Sequence, residues 1–154
     1  MRRKDKEVKD KDIIISALNR ALVCRLGLAE NDKPYIVPMN FGYKDDCLYF
    51  HSAPIGKKIE IIKKNSQVCF EIDIDHELII KEPGCNATMK YLSVIGFGKA
   101  ELIEDFTQKQ KALQIIMDHY SPNKINEFSK KMIEKIVIIK VEIEDMSGKK
   151  SDYL

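Results

Sequence analysis

The chain has 154 residues, of which 44% are hydrophobic and 32% are charged, a composition typical of a globular domain. Its 26 basic and 24 acidic side chains leave a formal charge of +2, which argues against the one-sided basic surface of a nucleic-acid-binding protein. No stretch approaches the roughly 20 apolar residues that span a bilayer, and the charged N-terminal segment lacks the apolar part of a signal peptide. The sequence therefore predicts a single cytoplasmic domain over residues 1–154, with flexible ends at 1–11 and 147–154 and with neither membrane nor nucleic-acid partners.

The first third of the chain predicts a helix followed by antiparallel strands. Asp12 is a candidate N-cap for a helix that ends near Ala21, because apolar residues recur behind it at helical spacing. A strand is expected at residues 22–28, and the turn-forming residues 30–34 separate it from two further strands joined at residues 44–46. Such short links cannot carry a parallel crossover, so these strands are predicted to form a three-stranded antiparallel meander.

The middle of the chain predicts a short helix between longer strands. Isoleucines at positions 55, 59 and 62 lie at helical spacing, and the helix is expected to end near Asn65. Apolar and polar residues then alternate over 68–75, which indicates a half-buried strand. Residues 76–89 have mixed polarity and predict a long loop. A strand pattern resumes over 90–103, interrupted by two glycines that indicate a bulge or a close backbone approach.

The last third of the chain predicts two helices and a final strand. Asp105 and Gln108 form a capping-box pattern at the start of one helix. Ser121-Pro122 is expected to begin a second helix, whose apolar stripe consists of Ile125, Phe128 and Met132. Alternation over 139–144 indicates a strand. Six short strands with few helices fit a mainly-β fold, in which an antiparallel sheet closes into a barrel and removes its exposed edges.

The four cysteines, Cys24, Cys47, Cys69 and Cys85, include no Cys-x-x-Cys pair. The first three lie in apolar strand-like runs and, in a reducing cytoplasm, are expected to be buried core residues. Cys85 follows a Pro-Gly pair in the predicted loop and is expected to be exposed. A zinc site formed by His51, Cys85 and a second cysteine would lack the short ligand spacing of structural zinc sites, so no metal site is predicted.

A candidate anion site follows the third predicted strand. That strand ends at Ser52, Gly56 permits a close backbone approach, and Lys57 and Lys58 add positive charge at the start of the next helix. The N-terminus of a helix favours an anion, and lysine binds phosphate as a point charge. The pattern predicts a phosphorylated cofactor here. The alternative is that both lysines are solvent-exposed charges of an ordinary helix.

His51 directly precedes this candidate anion site. A histidine beside a bound cofactor can exchange a proton near neutral pH, whereas an isolated strand histidine is often a packed or surface residue. From the residues alone, both interpretations stay open.

Four segments, taken together, carry a resemblance to a known protein family. They are Val37-Pro38-Met39-Asn40, Phe50-His51-Ser52, Lys57-Lys58 and Ser93-Val94. In these features the chain resembles the pyridoxamine-phosphate-oxidase-like, FMN-binding split barrels. In that family the first of these segments lines the flavin ring with its backbone, the basic pair binds the FMN phosphate, and the last segment meets the ring. Lysine stands here where the family often has arginine, which keeps the charge and loses the bidentate contact.

A further set of motifs narrows the resemblance. They are Val23-Cys24-Arg25-Leu26-Gly27, Pro34-Tyr35-Ile36-Val37-Pro38, Asn40-Phe41-Gly42-Tyr43, Tyr49-Phe50-His51-Ser52, Cys85-Asn86-Ala87-Thr88 and His119-Tyr120. These motifs resemble the nitroimidazole-resistance (Nim-type) branch of the family. The resemblance extends from about Arg2 to Lys149.

The resemblance implies a six-stranded antiparallel split barrel that binds FMN at the interface of a homodimer. It assigns the cofactor contacts to Val37, Pro38, Met39, Asn40, Phe41, His51, Ser52, Ala53, Lys57, Lys58, Ser93 and Val94. His51 matches the proposed catalytic histidine of the branch, and it would donate a proton during reduction of small electron-poor compounds such as nitroimidazoles. The arginine-rich substrate pocket of true pyridoxamine phosphate oxidases is not evident, so a vitamin B6 substrate is not expected.

Two other functions fit the same residues. Related barrels bind haem, so one alternative is a non-catalytic flavin or haem carrier in which His51 ligates iron. The other is an interaction domain without a cofactor, which the spacing of the anion-site residues disfavours.

Overall fold

The computed structural model describes residues 3–122, 124 and 127–151, and one antiparallel sheet of eight strands dominates it. The strands are β1 (Glu7–Val8), β2 (Cys24–Glu30), β3 (Lys33–Met39), β4 (Gly42–Lys44), β5 (Cys47–Ser52), β6 (Gln67–Ile79), β7 (Thr88–Ile103) and β8 (Val137–Ser151). The helices are α1 (Lys11–Arg20), α2 (Lys57–Lys64), α3 (Phe106–Tyr120) and α4 (Lys130–Glu134), with 3₁₀ turns at Lys4–Lys6 and Gly84–Asn86. No helix within the described ranges is long and apolar enough to span a membrane.

The sheet is curled but does not close. Neighbouring strands follow the order β3-β2-β6-β7-β8-β5-β4, and β1 pairs with β8. β3 and β4 are consecutive in the chain, separated by Asn40 and Phe41, yet they lie at opposite ends of this order. Only a strongly curled sheet can bring its two ends so close together. The predicted mainly-β split barrel is confirmed, with eight strands in place of six. The predicted closed barrel is wrong, because no ladder joins β3 to β4 in the described part of the chain.

The predicted three-stranded meander is correct in its two turns and wrong in its middle strand, which is divided into β3 and β4. β2 and β3 form the expected hairpin, whose turn residues Asn31 and Asp32 have φ values of 49° and 61°. Two positive φ values in a two-residue turn are typical of type I′, whose twist matches that of paired strands. β5, however, pairs with β4 and β8 and not with β3. The run over residues 35–43, which the pattern treats as one strand, is broken at Asn40, where the chain changes its partner strand.

The inner side of the sheet holds the main hydrophobic core. Alternate strand residues point into it, and its largest fully buried side chains include Leu26, Phe41, Leu48, Phe50, Phe70, Ile72 and Leu92. Burying each such side chain contributes about 1.5–3 kcal/mol, which is why the two-residue period is so regular in β5, β6 and β7. α1 and α2 add their buried faces to the same core.

The first two helices begin close to their predicted positions. α1 is capped by Asp10, whose carboxylate accepts a hydrogen bond from the N–H of Asp12 at 2.9 Å, so the cap precedes the predicted one. α2 begins at Lys57, as the pattern predicts, and ends before Asn65. Ile55 lies outside α2 and is 79% exposed. The buried positions of α2 are Ile59, Ile61 and Ile62.

α3 and α4 cover the outer side of the sheet beside β5 and β8. Their apolar side chains join a second buried cluster that consists of Ile103, Ala112, Leu113, Ile116, Ile133 and Ile138. The predicted start of α3 is confirmed, since the Asp105 carboxylate accepts a hydrogen bond from the N–H of Gln108 at 2.9 Å. The helix predicted from Ser121 is wrong in position, because α4 begins later, after its N-cap Ser129. Ile125 of the predicted stripe lies outside the described residues.

β6 and β7 extend into the segment predicted to be a loop. β6 continues to Ile79, and only residues 80–87 connect it to β7. The alternation is interrupted at Asp75, where φ is 57° and the pairing register shifts between Ile74 and Glu77. Such an irregularity hides the continuation of the strand from a two-residue pattern.

Both ends of the described chain belong to the sheet. β1 pairs with the last part of β8, Glu7 with Lys149 and Val8 with Gly148. β8 continues to Ser151, well beyond the predicted end of the last strand. Residues 1–2 and 152–154, which belong to the segments predicted to be flexible, lie outside the described residues.

Two of the three cysteines predicted to be buried are inside the fold. Cys24 and Cys47 are buried, whereas Cys69 and Cys85 are exposed. The prediction for Cys69 is wrong because this residue alternates with the buried Val68 and Phe70 on β6 and so points outward. The predicted exposure of Cys85 is confirmed.

Gly98 provides a test of the packing between β7 and β8. A Cβ atom at Gly98 would overlap the carbonyl oxygen of Glu142 on β8, next to the register shift that follows Phe97. The backbone of a central strand moves aside only at a cost, so we expect Gly98→Ala to lower the free energy of unfolding by about 1–3 kcal/mol in chemical denaturation. Gly84→Ala is the control, because a Cβ there would meet no atom within 4 Å. Equal stability of the two variants would contradict this packing.

Candidate functional site

The chain crosses from one end of the sheet to the other at Asn40 and Phe41. Beyond this crossing β4 pairs with β5, and extending their register by two residues brings Asn40 level with His51. The rings of Phe41 and Phe50, whose centroids are 6.3 Å apart, agree with that register. On this register, the segment predicted to line a ring ends near the strand end that carries the histidine predicted to act on a substrate.

β3 is an edge strand of the described sheet, and one row of its backbone groups pairs with no other described strand. Its two-residue turn makes Glu30 and Lys33 a hydrogen-bonded pair, so the odd-numbered residues of β3 bond to β2 and the even-numbered residues face away. Pro34 and Pro38 lie at two of the positions that face away, where a missing N–H costs no ladder hydrogen bond. The free edge therefore offers the carbonyl groups of residues 34, 36 and 38 and the N–H of Ile36.

The side chains of the predicted ring-lining residues alternate between two environments. Pro38 and Asn40 are exposed, whereas Val37 and Met39 are half-buried against the core. Phe41 is fully buried, and its N–H already donates a hydrogen bond to a tyrosine hydroxyl of α3 at 2.9 Å. That N–H is therefore already paired within the chain, and the predicted cofactor contact of Phe41 stays a prediction.

His51 is exposed at the end of β5 on the outer side of the sheet. Its side chain forms no hydrogen bond or ion pair with the described residues. The neighbouring Ser52 is buried, and its hydroxyl donates to the carbonyl of Ala53 at 2.9 Å. The serine predicted to hold a phosphate thus has its hydroxyl inside, while His51 and Ala53 are exposed. The exposed imidazole is therefore accessible from solvent near the end of β5.

The start of α2 forms the basic end of the site. Gly56 precedes this helix with a φ of 116°, a conformation that favours glycine, and no side chain caps the helix. The first N–H groups of α2 therefore lack a helical partner and can bind an anion. Lys57 is exposed, with its Nζ 4.5 Å from the centroid of the Tyr35 ring, and Lys58 is half-buried.

A cavity of about 270 Å³ opens beside Lys57. It is lined by Glu30, Asn31, Lys33, Lys57 and Ile61. Lys33 therefore lies close to the predicted basic pair, although nothing in the sequence indicates this, because Lys33 belongs to the β2–β3 hairpin and has no motif of its own. The contact between Tyr35 and Lys57 escapes sequence reasoning for the same reason.

Ser93 and Val94 lie away from the other predicted site residues within one chain. β7 is separated from β3 by β2 and β6, a span of three strand spacings or roughly 14 Å. Val94 is also fully buried in the core, and Ser93 is half-buried. The structure therefore does not bring these two residues to the crossing of their own chain.

Core thiols and metal clusters offer no alternative site in the described part of the chain. Burial raises the pKa of the Cys24 thiol to about 12 and also raises the pKa of the Cys47 thiol, so neither ionises readily near neutral pH. Among the described residues, no group of three or more histidine, cysteine, aspartate or glutamate side chains is arranged to hold a metal ion. A larger cavity, of about 440 Å³, lies between α3 and the neighbouring strands, but none of the predicted site residues lines it.

Comparisons with known proteins agree with this architecture. The family model described as pyridoxamine 5′-phosphate oxidase matches residues 10–150. The structure of a candidate 5-nitroimidazole antibiotic resistance protein from Bacteroides thetaiotaomicron is 38% identical in sequence, with a TM-score of 0.83 over 93% of this chain and 85% of that chain. A comparison with curated proteins gave no match.

Two more distant structures share the fold. A FAD-binding protein from Mesorhizobium loti is 24% identical, with a TM-score of 0.71 over 96% of this chain and 98% of that chain. A FAD and haem binding protein from Mycobacterium smegmatis is 16% identical, with a TM-score of 0.86 over 96% of this chain and 74% of that chain. Since the family model spans most of its length, the chain belongs to the pyridoxamine 5′-phosphate oxidase family, as its motifs predict.

Proposed function

We propose that the protein is an FMN-dependent oxidoreductase that reduces small electron-poor compounds, nitroimidazoles among them. The observation that carries the proposal is the exposed imidazole of His51 near the end of β5, on the segment that leads into the basic start of α2. The 38% identity to a candidate 5-nitroimidazole resistance protein supports the substrate class.

The free edge of β3 suits the polar edge of a flavin ring. The pyrimidine part of that ring presents one N–H donor between two carbonyl acceptors. Ile36 contributes an N–H and a carbonyl at the free edge, and the carbonyls of Pro34 and Pro38 lie on either side. Backbone groups held in a strand lose little further conformational entropy on binding, which favours association with a rigid ring.

The start of α2 suits the phosphate of the cofactor. Lys57 and Lys58 supply the charge, and the uncapped N–H groups supply directed donors. Because lysine binds phosphate as a point charge, the directional part of the recognition falls to the helix N-terminus. We propose FMN because its phosphate is terminal and α2 offers one anion site, although two of the similar structures are named for FAD.

Bound FMN would supply the electrons, and the residues of this chain would supply position and a proton. His51 holds its imidazole at the crossing, where it can protonate an oxygen of a nitro group as that group is reduced. Phe41 and Phe50, both fully buried, pack beneath the crossing and exclude water from that side.

We further propose that the protein acts as a homodimer with the flavin at its interface. An apolar row crosses the outer face of the sheet, where successive cross-strand neighbours are Ile36, Gly27, Cys69 and Phe97. Ile36 is 66% exposed and Phe97 is 53% exposed. A second copy over this row would remove it from water. It would also bring its own half-buried Ser93 toward the crossing, which one chain alone does not do.

The proposed binding of the FMN phosphate by Lys57 and Lys58 is tested by the visible spectrum and the FMN affinity of the purified protein. We expect a yellow protein. We expect Lys57→Ala/Lys58→Ala to raise the Kd for FMN by about a hundredfold or more, since each charge-assisted hydrogen bond contributes about 1.5–3 kcal/mol. Lys130→Ala/Lys131→Ala is the matched control, because it removes the same charge from two exposed lysines at the start of another helix, α4.

Equal FMN affinity of the two double variants would contradict the proposal that Lys57 and Lys58 bind the phosphate of FMN. The mass of the flavin released on denaturation distinguishes FMN from FAD. A Soret band without flavin absorbance would support a haem carrier instead, and a protein that binds no flavin at all would overturn the proposed function.

The role of His51 is tested by turnover with a nicotinamide donor and a nitroimidazole. We expect His51→Gln to lower kcat by about a hundredfold while FMN stays bound, because general acid catalysis typically contributes about that much or more. His76→Gln is the control, since His76 is also exposed on the sheet but its Nε2 contacts the Asp73 carboxylate. Wild-type turnover in His51→Gln would show that another group donates the proton.

The apolar row is tested by the mass of the protein in solution. We expect Phe97→Glu to convert the dimer into monomers in light scattering after size-exclusion chromatography, and to lose flavin, because the interface would then bury an unpaired charge. Met132→Glu is the control, since Met132 is 44% exposed on α4, away from the row. A dimeric Phe97→Glu variant would contradict an interface over this row.

A further inference from the structure

The end of α3 holds the crossing through one hydroxyl group. The Tyr120 hydroxyl accepts a hydrogen bond from the N–H of Phe41 at 2.9 Å and donates one to the carbonyl of Leu22 at 2.9 Å. A single side chain therefore joins three parts of the chain, namely the approach to β2, the crossing between β3 and β4, and the last residue of α3.

His119 reinforces this arrangement. Its ring packs on the ring of Phe41 with centroids 4.6 Å apart, and its Nε2 lies 2.7 Å from the carbonyl oxygen of Ala21. It also packs edge-on against the Tyr120 ring, with centroids 4.8 Å apart. The last two residues of α3 thus contact both the crossing and the residues that lead into β2.

The start of β4 lies directly against α3. A Cβ atom at Gly42 would be 2.7 Å from the carbonyl oxygen of Ile115, so only glycine allows this approach. Asn40 and Phe41 lie between the end of β3 and the start of β4, and no described strand pairs with them in a ladder. The position of the crossing is therefore determined by α3 and by the packing of Phe41 in the core.

We infer that Tyr120 is a positioning residue of the flavin site. Through the N–H of Phe41, its hydroxyl fixes the backbone at the crossing, and with it the placement of the free edge of β3 relative to His51. This inference rests on the proposed flavin function. Tyr120 belongs neither to the basic start of α2 nor to the free edge of β3. Its replacement therefore removes none of the groups proposed to bind the cofactor and changes only their positions relative to one another.

Tyr120→Phe removes both hydrogen bonds and keeps the aromatic packing. We expect the Kd for FMN to rise about tenfold, which corresponds to about 1.4 kcal/mol. We also expect the absorption maximum and the reduction potential of the bound flavin to differ from those of the wild type, a change that a purely structural role would not produce. Tyr43→Phe is the matched control, because it removes a hydroxyl that bonds to Asp46 at 3.0 Å in the β4–β5 turn. Its FMN affinity and flavin spectrum are expected to equal those of the wild type.

The outcomes separate this inference from the proposed function. Wild-type affinity and an unchanged flavin spectrum in Tyr120→Phe overturn the inference and leave the proposed function standing. A wild-type protein that binds no flavin overturns both. If Tyr120→Phe does not fold, His119→Phe is used, because it keeps the contact with Phe41 and removes the hydrogen bond to Ala21. A shifted flavin spectrum in that variant supports the coupling between α3 and the crossing, and an unshifted one overturns it.

Discussion

The two-residue crossing at Asn40 and Phe41 is the constraint on which the rest of the structure depends. Because β3 and β4 are consecutive in the chain but at opposite ends of the strand order, the sheet must curl until those ends nearly meet. Among the described residues no ladder completes the closure, so β3 keeps a free edge, and His51 lies next to the last residue of β5. The candidate site is a consequence of this gap, which supplies backbone donors and acceptors together with an accessible imidazole.

Local sequence patterns predict the features that neighbouring residues determine. Alternation identifies the interiors of β6 and β7, because burial of one face imposes a two-residue period. Asp105 identifies the start of α3, because its carboxylate satisfies an N–H within the same turn. The basic pair at Lys57 and Lys58 lies at the start of α2 as expected, because a glycine and a lysine pair before an apolar helical pattern are recognisable without tertiary information. The family resemblance is carried by such local motifs.

Local sequence patterns do not predict which strands pair when those strands are distant in the chain. Residues 35–43 have the pattern of one strand, and nothing local indicates that the chain changes partners at Asn40. Cys69 shows that alternation is a better guide than composition, since its neighbours on β6 point inward and it therefore faces out. The proximity of Lys33 to Lys57 depends on how α2 packs against the β2–β3 hairpin. No pattern within a single segment contains that information.

The features at the crossing are ones that an isolated chain ordinarily avoids. A free strand edge is a template for aggregation, and exposed Ile36 and Phe97 form an apolar row on the adjoining face. Pro34 and Pro38 remove two donors from this edge, which limits pairing with another strand but leaves the carbonyl groups for a ligand. A flat ligand with complementary polar groups and a second copy over the apolar row would each satisfy what one chain leaves open. On this proposal, the cofactor and the second copy would together complete the barrel. This one explanation would account for the free edge, for the apolar row and for the distance of Ser93 from the crossing, whereas a chain acting alone requires a separate explanation for each.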